Sequence, residues 1–112
     1  MPKRESSLYL QDIKDCIKKI EKYTEKLSFH KFAKDEKTVD AVVRNLEIIG
    51  EVASNMPKII RTKYKKIPWK DIVGMRNLII HEYFGVDLDI VWETIKKRVP
   101  ELKKELRKVK IK

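Results

Sequence analysis

The run DEKTVDAVVRNLEIIGEVASNMP, residues 35–57, repeats apolar side chains at Val39, Val42, Val43, Leu46, Ile49, Ala53 and Met56. Steps of three and four residues return to one face of an α-helix, so the run predicts a long amphipathic helix. Asp35 is the natural N-cap and Pro57 marks the exit. A helix with one apolar stripe must bury it against something, and the rest of the chain supplies partners of the same kind.

Upstream, Leu10, Ile13, Cys16, Ile17, Ile20, Tyr23 and Leu27 mark a first helix of about five turns by the same 3.6-residue rule. Between the two, Ser28-Phe29-His30-Lys31-Phe32 reads as a short helical turn capped by Ser28. Downstream, residues 58–66 form a basic connector with room for a helical turn. Pro68 suits the first turn of a third long helix, expected from Trp69 to Phe84 and stopped by Gly85. Asp87 can cap a last helix. Its seam of Leu88, Val91, Trp92, Ile95, Val99, Leu102, Leu106 and Val109 keeps phase through Pro100, so a kinked helix or two nearly collinear ones are expected. Short connections between such helices predict an all-α, antiparallel bundle of four to five helices forming one domain over residues 1–112.

Bulk composition agrees with that reading and points to a partner. Charged residues make up 39% of the chain while Gly and Pro number three and four, which favours long charged helices over strands and turns. The formal net charge of +10 attracts polyanions, with nucleic acid first among them. Basic residues cluster twice. Lys58, Arg61, Lys63, Lys65, Lys66 and Lys70 occur with no acid among them, and nine more fall between Lys96 and Lys112 against Glu101 and Glu105. Such clusters are ordinarily solvated faces, but these two could flank a shared site; Lys63, Lys65, Lys66 and Lys70 are the RNA-binding candidates. Cys16 has no second cysteine to pair with and falls in register with Ile13, Ile17 and Ile20, as a core residue in a reducing cytoplasm would. No signal peptide or membrane-spanning run is evident, and the expectation is a soluble cytoplasmic protein.

The third long helix breaks the pattern. Projected on a wheel, Trp69, Ile72, Val73, Ile79, Ile80, Tyr83 and Phe84 form an apolar arc with Arg76 at its centre. A guanidinium aimed at a core is costly unless it is paired, with Glu47 or Glu51 the nearest candidates, or faces a cleft. Gly74, Asn77 and His81 form a second stripe along the edge of the arc. A mid-helix Gly costs about 1 kcal/mol relative to Ala and clears space for close approach. His81 is an acid or base at neutral pH, and Tyr83 adds a phenol two turns beyond Arg76. Each has an ordinary structural explanation alone. Together they suit a phosphate, with Arg76 stabilising the charge of a phosphorane-like transition state. No Cys, His and carboxylate cluster has metal-ligand spacing, so the expected chemistry needs neither metal nor cofactor. One His81 cannot readily serve as both base and acid; a two-fold homodimer pairing the third helices brings two copies into one cleft.

Arg76-Asn77-Leu78-Ile79-Ile80-His81-Glu82-Tyr83 is an R-x4-H-x-Y motif. With Arg44-Asn45-Leu46-Glu47-Ile48-Ile49-Gly50-Glu51, Ile67-Pro68-Trp69, Tyr83-Phe84-Gly85-Val86-Asp87 and Val91-Trp92, it makes nearly the whole chain resemble the HepT-like toxins of the HEPN superfamily. The resemblance implies an HEPN-like dimeric bundle and a metal-independent ribonuclease acting on RNA, either tRNA or mRNA. It also implies a toxin of the type VII kind, partnered by a MntA-like minimal nucleotidyltransferase antitoxin. Arg76 and His81 then carry the nuclease activity, Asn77 fills the polar position after the motif Arg, and Tyr83 is the residue the antitoxin silences with AMP. Two other readings are a non-catalytic subunit that presents a nucleotide or substrate to a nucleotidyltransferase, and a purely structural bundle.

Overall fold

The computed structural model describes residues 5–80 and 87–109, the side chains of 76–80 excepted. Its helices are α1 (Ser6–Thr24), α2 (Phe29–Lys34), α3 (Glu36–Ser54), α4 (Lys58–Lys63), α5 (Trp69–Ile80), α6 (Leu88–Glu93) and α7 (Val99–Leu106), with a π-helical turn over Thr94–Arg98 joining the last two. No strand occurs among the described residues, and the fold is the all-α bundle that the apolar stripes require.

The expected caps are in place. Ser28 accepts from the Lys31 amide, Asp35 from the Thr38 amide, and Asp87 from the amides of Asp89 and Ile90. Each satisfies N–H groups that the first turn of a helix leaves without partners. The basic connector does contain a helix, α4, which Pro57 opens. At the other end of α1, the expected last turn is missing. The helix stops at Thr24, which is buried with its hydroxyl donating to the Ile20 carbonyl at 2.7 Å. Lys26 then takes a left-handed conformation with φ 64°. Tyr23, read as core from its spacing, is consequently exposed, and Leu27 is only half-buried.

Ile13, Ile17 and Ile20 of α1 pack with Val42, Leu46 and Ile49 of α3, all close to fully buried. Burying each such side chain stabilises by roughly 1.5–3 kcal/mol relative to leaving it in water. Val91, Ile95, Val99, Leu102 and Leu106 bring the last helix onto the same core, and Lys103 ties α7 to α1 through both Glu21 carboxylate oxygens at 3.0 Å. Cys16 is buried among these residues, and burial pushes its thiol above the usual range.

Pro100 does not interrupt the last helix: residues 88–106 are helical throughout, with one π-helical turn over Thr94–Arg98. The adjustment is the widened turn immediately before it, where the Val99 amide bonds the Thr94 carbonyl five residues back. A wider turn relieves the crowding that a proline ring imposes on the preceding turn. Thr94, at the start of this turn and three residues after Val91, is buried on the core side, and its hydroxyl donates to the Ile90 carbonyl at 2.8 Å.

Candidate functional site

Helix α5 carries the first part of the motif, Arg76 to Ile80, and its first turn is firmly anchored. The Trp69 indole N–H donates to the Tyr64 carbonyl at 3.1 Å, its amide to the Ile67 carbonyl at 2.8 Å, and the Ile72 amide to the Pro68 carbonyl at 3.0 Å. Trp69 and Ile72 are buried; a turn later, Val73, Gly74 and Met75 are only half-buried. The apolar positions of α5 spread over more than half of its wheel, with Lys70, Gly74 and Asn77 on the remaining side. Its principal packing partner in the chain is α3. Among the described residues, a Cβ added to Gly74 would meet nothing within 4 Å. The glycine therefore makes room for none of the described helices, and the space they leave beside it is open.

Arg76 and Asn77 stand on the regular helical backbone of α5, while His81 and Tyr83 lie outside the described residues. Of the two carboxylates considered as partners for Arg76, Glu47 is half-buried on α3 and Glu51 is exposed.

Lys63, Lys65, Lys66 and Lys70 are all exposed. Lys63 lies over the Tyr64 ring at 5.6 Å from its centroid. Lys63, Lys65 and Lys66 line a groove of about 360 Å³ whose far wall carries Lys108 and Glu105. A neighbouring groove of about 340 Å³ has a floor that includes Leu46, Ile49 and Ile72, with Lys66, Arg98 and Lys104 on its walls. The two basic clusters, some thirty residues apart in sequence, therefore meet, with Lys66 belonging to both grooves. Lys70 stands on the first turn of α5 and is not among the residues lining either. The second groove reaches Met75, the residue before Arg76, and its walls also include Asp71, Glu101 and Glu105. It is thus mixed in charge, whereas the first is predominantly basic. Arg98, Lys104 and Lys108 were visible in the sequence only as members of a charge run; folding turns Arg98 and Lys104 toward α5 and Lys108 toward the segment that follows α4.

Among the described residues, no group of His, Cys, Asp and Glu is placed to hold a metal ion, and no helix is long and apolar enough to cross a membrane.

The family model described as Ribonuclease HepT-like matches residues 13–109, from within α1 to the end of the described chain. The chain belongs to the HepT-like ribonuclease family, of the HEPN type. Its HepT-like relatives include a candidate RNase of Methanocaldococcus jannaschii, 45% identical over 97% of this chain and 90% of the relative. A candidate RNase of Caldanaerobacter subterraneus subsp. tengcongensis is 49% identical over 90% of each chain. A candidate HepT ribonuclease of Thermococcus cleftensis is 42% identical over 96% of this chain and 98% of the relative. No solved structure gives a significant match. The HepT-like match includes the Arg76 to Tyr83 motif together with both basic clusters up to Val109.

Proposed function

We propose that this HepT-like chain is a metal-independent endoribonuclease and the toxin of a toxin–antitoxin pair. The observation that carries the reading is the R-x4-H-x-Y motif, beginning on α5 and lying inside a family match that covers most of the chain. In the proposed reaction a base removes the proton of a ribose 2′-hydroxyl and the 2′-oxygen bonds to phosphorus. The P–O5′ bond breaks, and an acid protonates the departing oxygen. His81 supplies proton transfer and Arg76 stabilises the negative charge that builds on the phosphoryl oxygens. Lys63, Lys65, Lys66 and Lys70 hold the strand's phosphates.

A homodimer with the cleft at its interface fits the state of α5. Val73, Gly74 and Met75 are only half-buried, and among the described residues nothing fills the space beside Gly74, which leaves room for a second α5. Two subunits then provide two copies of His81, so base and acid need not be one imidazole. A MntA-like nucleotidyltransferase silences the toxin by adding AMP to Tyr83, placing bulk and a negative phosphate beside the motif. The basic grooves also favour a second reading, a subunit that binds nucleotide or RNA for a nucleotidyltransferase without cutting.

Incubation with tRNA and mRNA in EDTA separates the two. The expected result is cleavage that falls at least a hundredfold in His81→Ala and in Arg76→Ala, in line with the usual weight of a catalytic acid–base or charge-stabilising group. RNA that is bound and left intact establishes the second reading; cleavage that survives both substitutions removes the motif from the mechanism. Mass spectrometry of the protein produced with its nucleotidyltransferase partner tests AMP addition at Tyr83.

A further inference from the structure

We propose that Phe29, Trp92 and Lys96 form a stacking platform for an unpaired base of the RNA strand, a second binding element in addition to the motif. The proposal rests on the ribonuclease reading above. Phe29 opens α2, while Trp92 and Lys96 lie one turn apart in the last helix. Phe32, fully buried, sits 5.0 Å from the Trp92 ring and holds it from the core side. Phe29 meets the same ring edge-to-face at 6.0 Å, and the Lys96 ammonium covers it at 4.6 Å.

Core packing accounts for Phe32 but not for Phe29, which is 36% exposed on the first residue of a short helix and followed by exposed His30 and Lys31. An accessible ring beside cations is the arrangement that binds single strands, because every base has a π-face and every nucleotide a phosphate for an ammonium group. In sequence, Trp92 and Lys96 follow soon after the motif. The chain leaves the motif segment at Asp87, the N-cap of α6, and Trp92 follows five residues later, about 8 Å along the helix axis. Asp89 occupies the same face one turn before Trp92, so the favourable side for phosphates is that of Lys96.

The test compares a single-stranded oligoribonucleotide with the same sequence in a duplex. Phe29→Leu keeps apolar bulk without a ring, and Phe29→Tyr keeps the ring. The expected result is a KM for the single strand raised about tenfold in Phe29→Leu and restored in Phe29→Tyr, the scale of one lost base–aromatic stack. The duplex should show no comparable change. Lys96→Gln should flatten the salt dependence of single-strand binding, measured in the His81→Ala background to prevent cutting. Equal changes on both substrates, or wild-type kinetics in Phe29→Leu, overturn the platform while leaving the nuclease in place. A protein that neither binds nor cuts RNA overturns both, and retention of RNA binding without cutting removes only the nuclease.

Discussion

Lys26 spends conformational energy at the end of α1. Its φ of 64° is one that a side chain disfavours and glycine accepts freely. Lys26→Gly is therefore expected to stabilise the fold by about 1 kcal/mol, read as a higher midpoint in urea. Asp35 acts through charge as well as geometry. Hydrogen bonds from the Thr38 hydroxyl and amide hold its carboxyl below the ordinary value of 3.8. A depressed folded pKa means that its contribution is present above that value and lost as the pH falls below it. Acid should accordingly weaken hydrogen-exchange protection of the Thr38 amide, and Asp35→Asn should remove that pH response while keeping a capping side chain. Asp35 was legible beforehand because a cap depends on the next three residues. Lys26 was not, since nothing in its side chain asks for a left-handed backbone, and Tyr23 was misread with it because the helix ends one residue later.

Helices α1 and α7 meet through Ile17, Leu102 and Leu106, with Lys103 and Glu21 at the margin. Both ion-pair side chains are some 40% exposed, so water and salt screen them. Lys103→Gln should cost about 0.5 kcal/mol at low salt and show no resolvable cost in molar salt. A large, salt-independent loss would mean that the pair organises the interface. The last helix also shows what periodicity can and cannot convey. Its seam from Val91 to Val109 was readable, since phase is a property of residue order. The π turn over Thr94–Arg98 was not, because a hydrogen bond reaching one residue farther leaves no mark in the order of apolar and polar side chains. Thr94, polar by type, is buried because it falls three residues after Val91 on the core face, with its hydroxyl bonded to the Ile90 carbonyl.

For the whole molecule, α5 ties stability to assembly. Gly74→Ala has free space around it and replaces a poor helix former, so in the isolated chain it should stabilise by about 0.5–1 kcal/mol. If a second α5 occupies that space, the same substitution should weaken self-association, measured by sedimentation, and reduce RNA cleavage in parallel. A more stable variant that associates and cuts as before would remove Gly74 from the interface. The site was legible in the sequence to the extent that helix register brings Arg76, Asn77 and Gly74 onto one element. The convergence of Lys66 with Arg98 and Lys104 was not, because it depends on how the last helix lies against α3 and α5.

The chain's two indoles differ in their access to solvent. Trp69 is 7% exposed with its N–H bonded to a carbonyl, whereas Trp92 is half-buried with an ammonium group over its ring. In fluorescence, a neutral collisional quencher should reach Trp92 first and leave the emission of Trp69. The native protein thus has a built-in optical probe at α6 and an internal reference at the start of α5, and events beside Trp92 can be followed without attaching a dye.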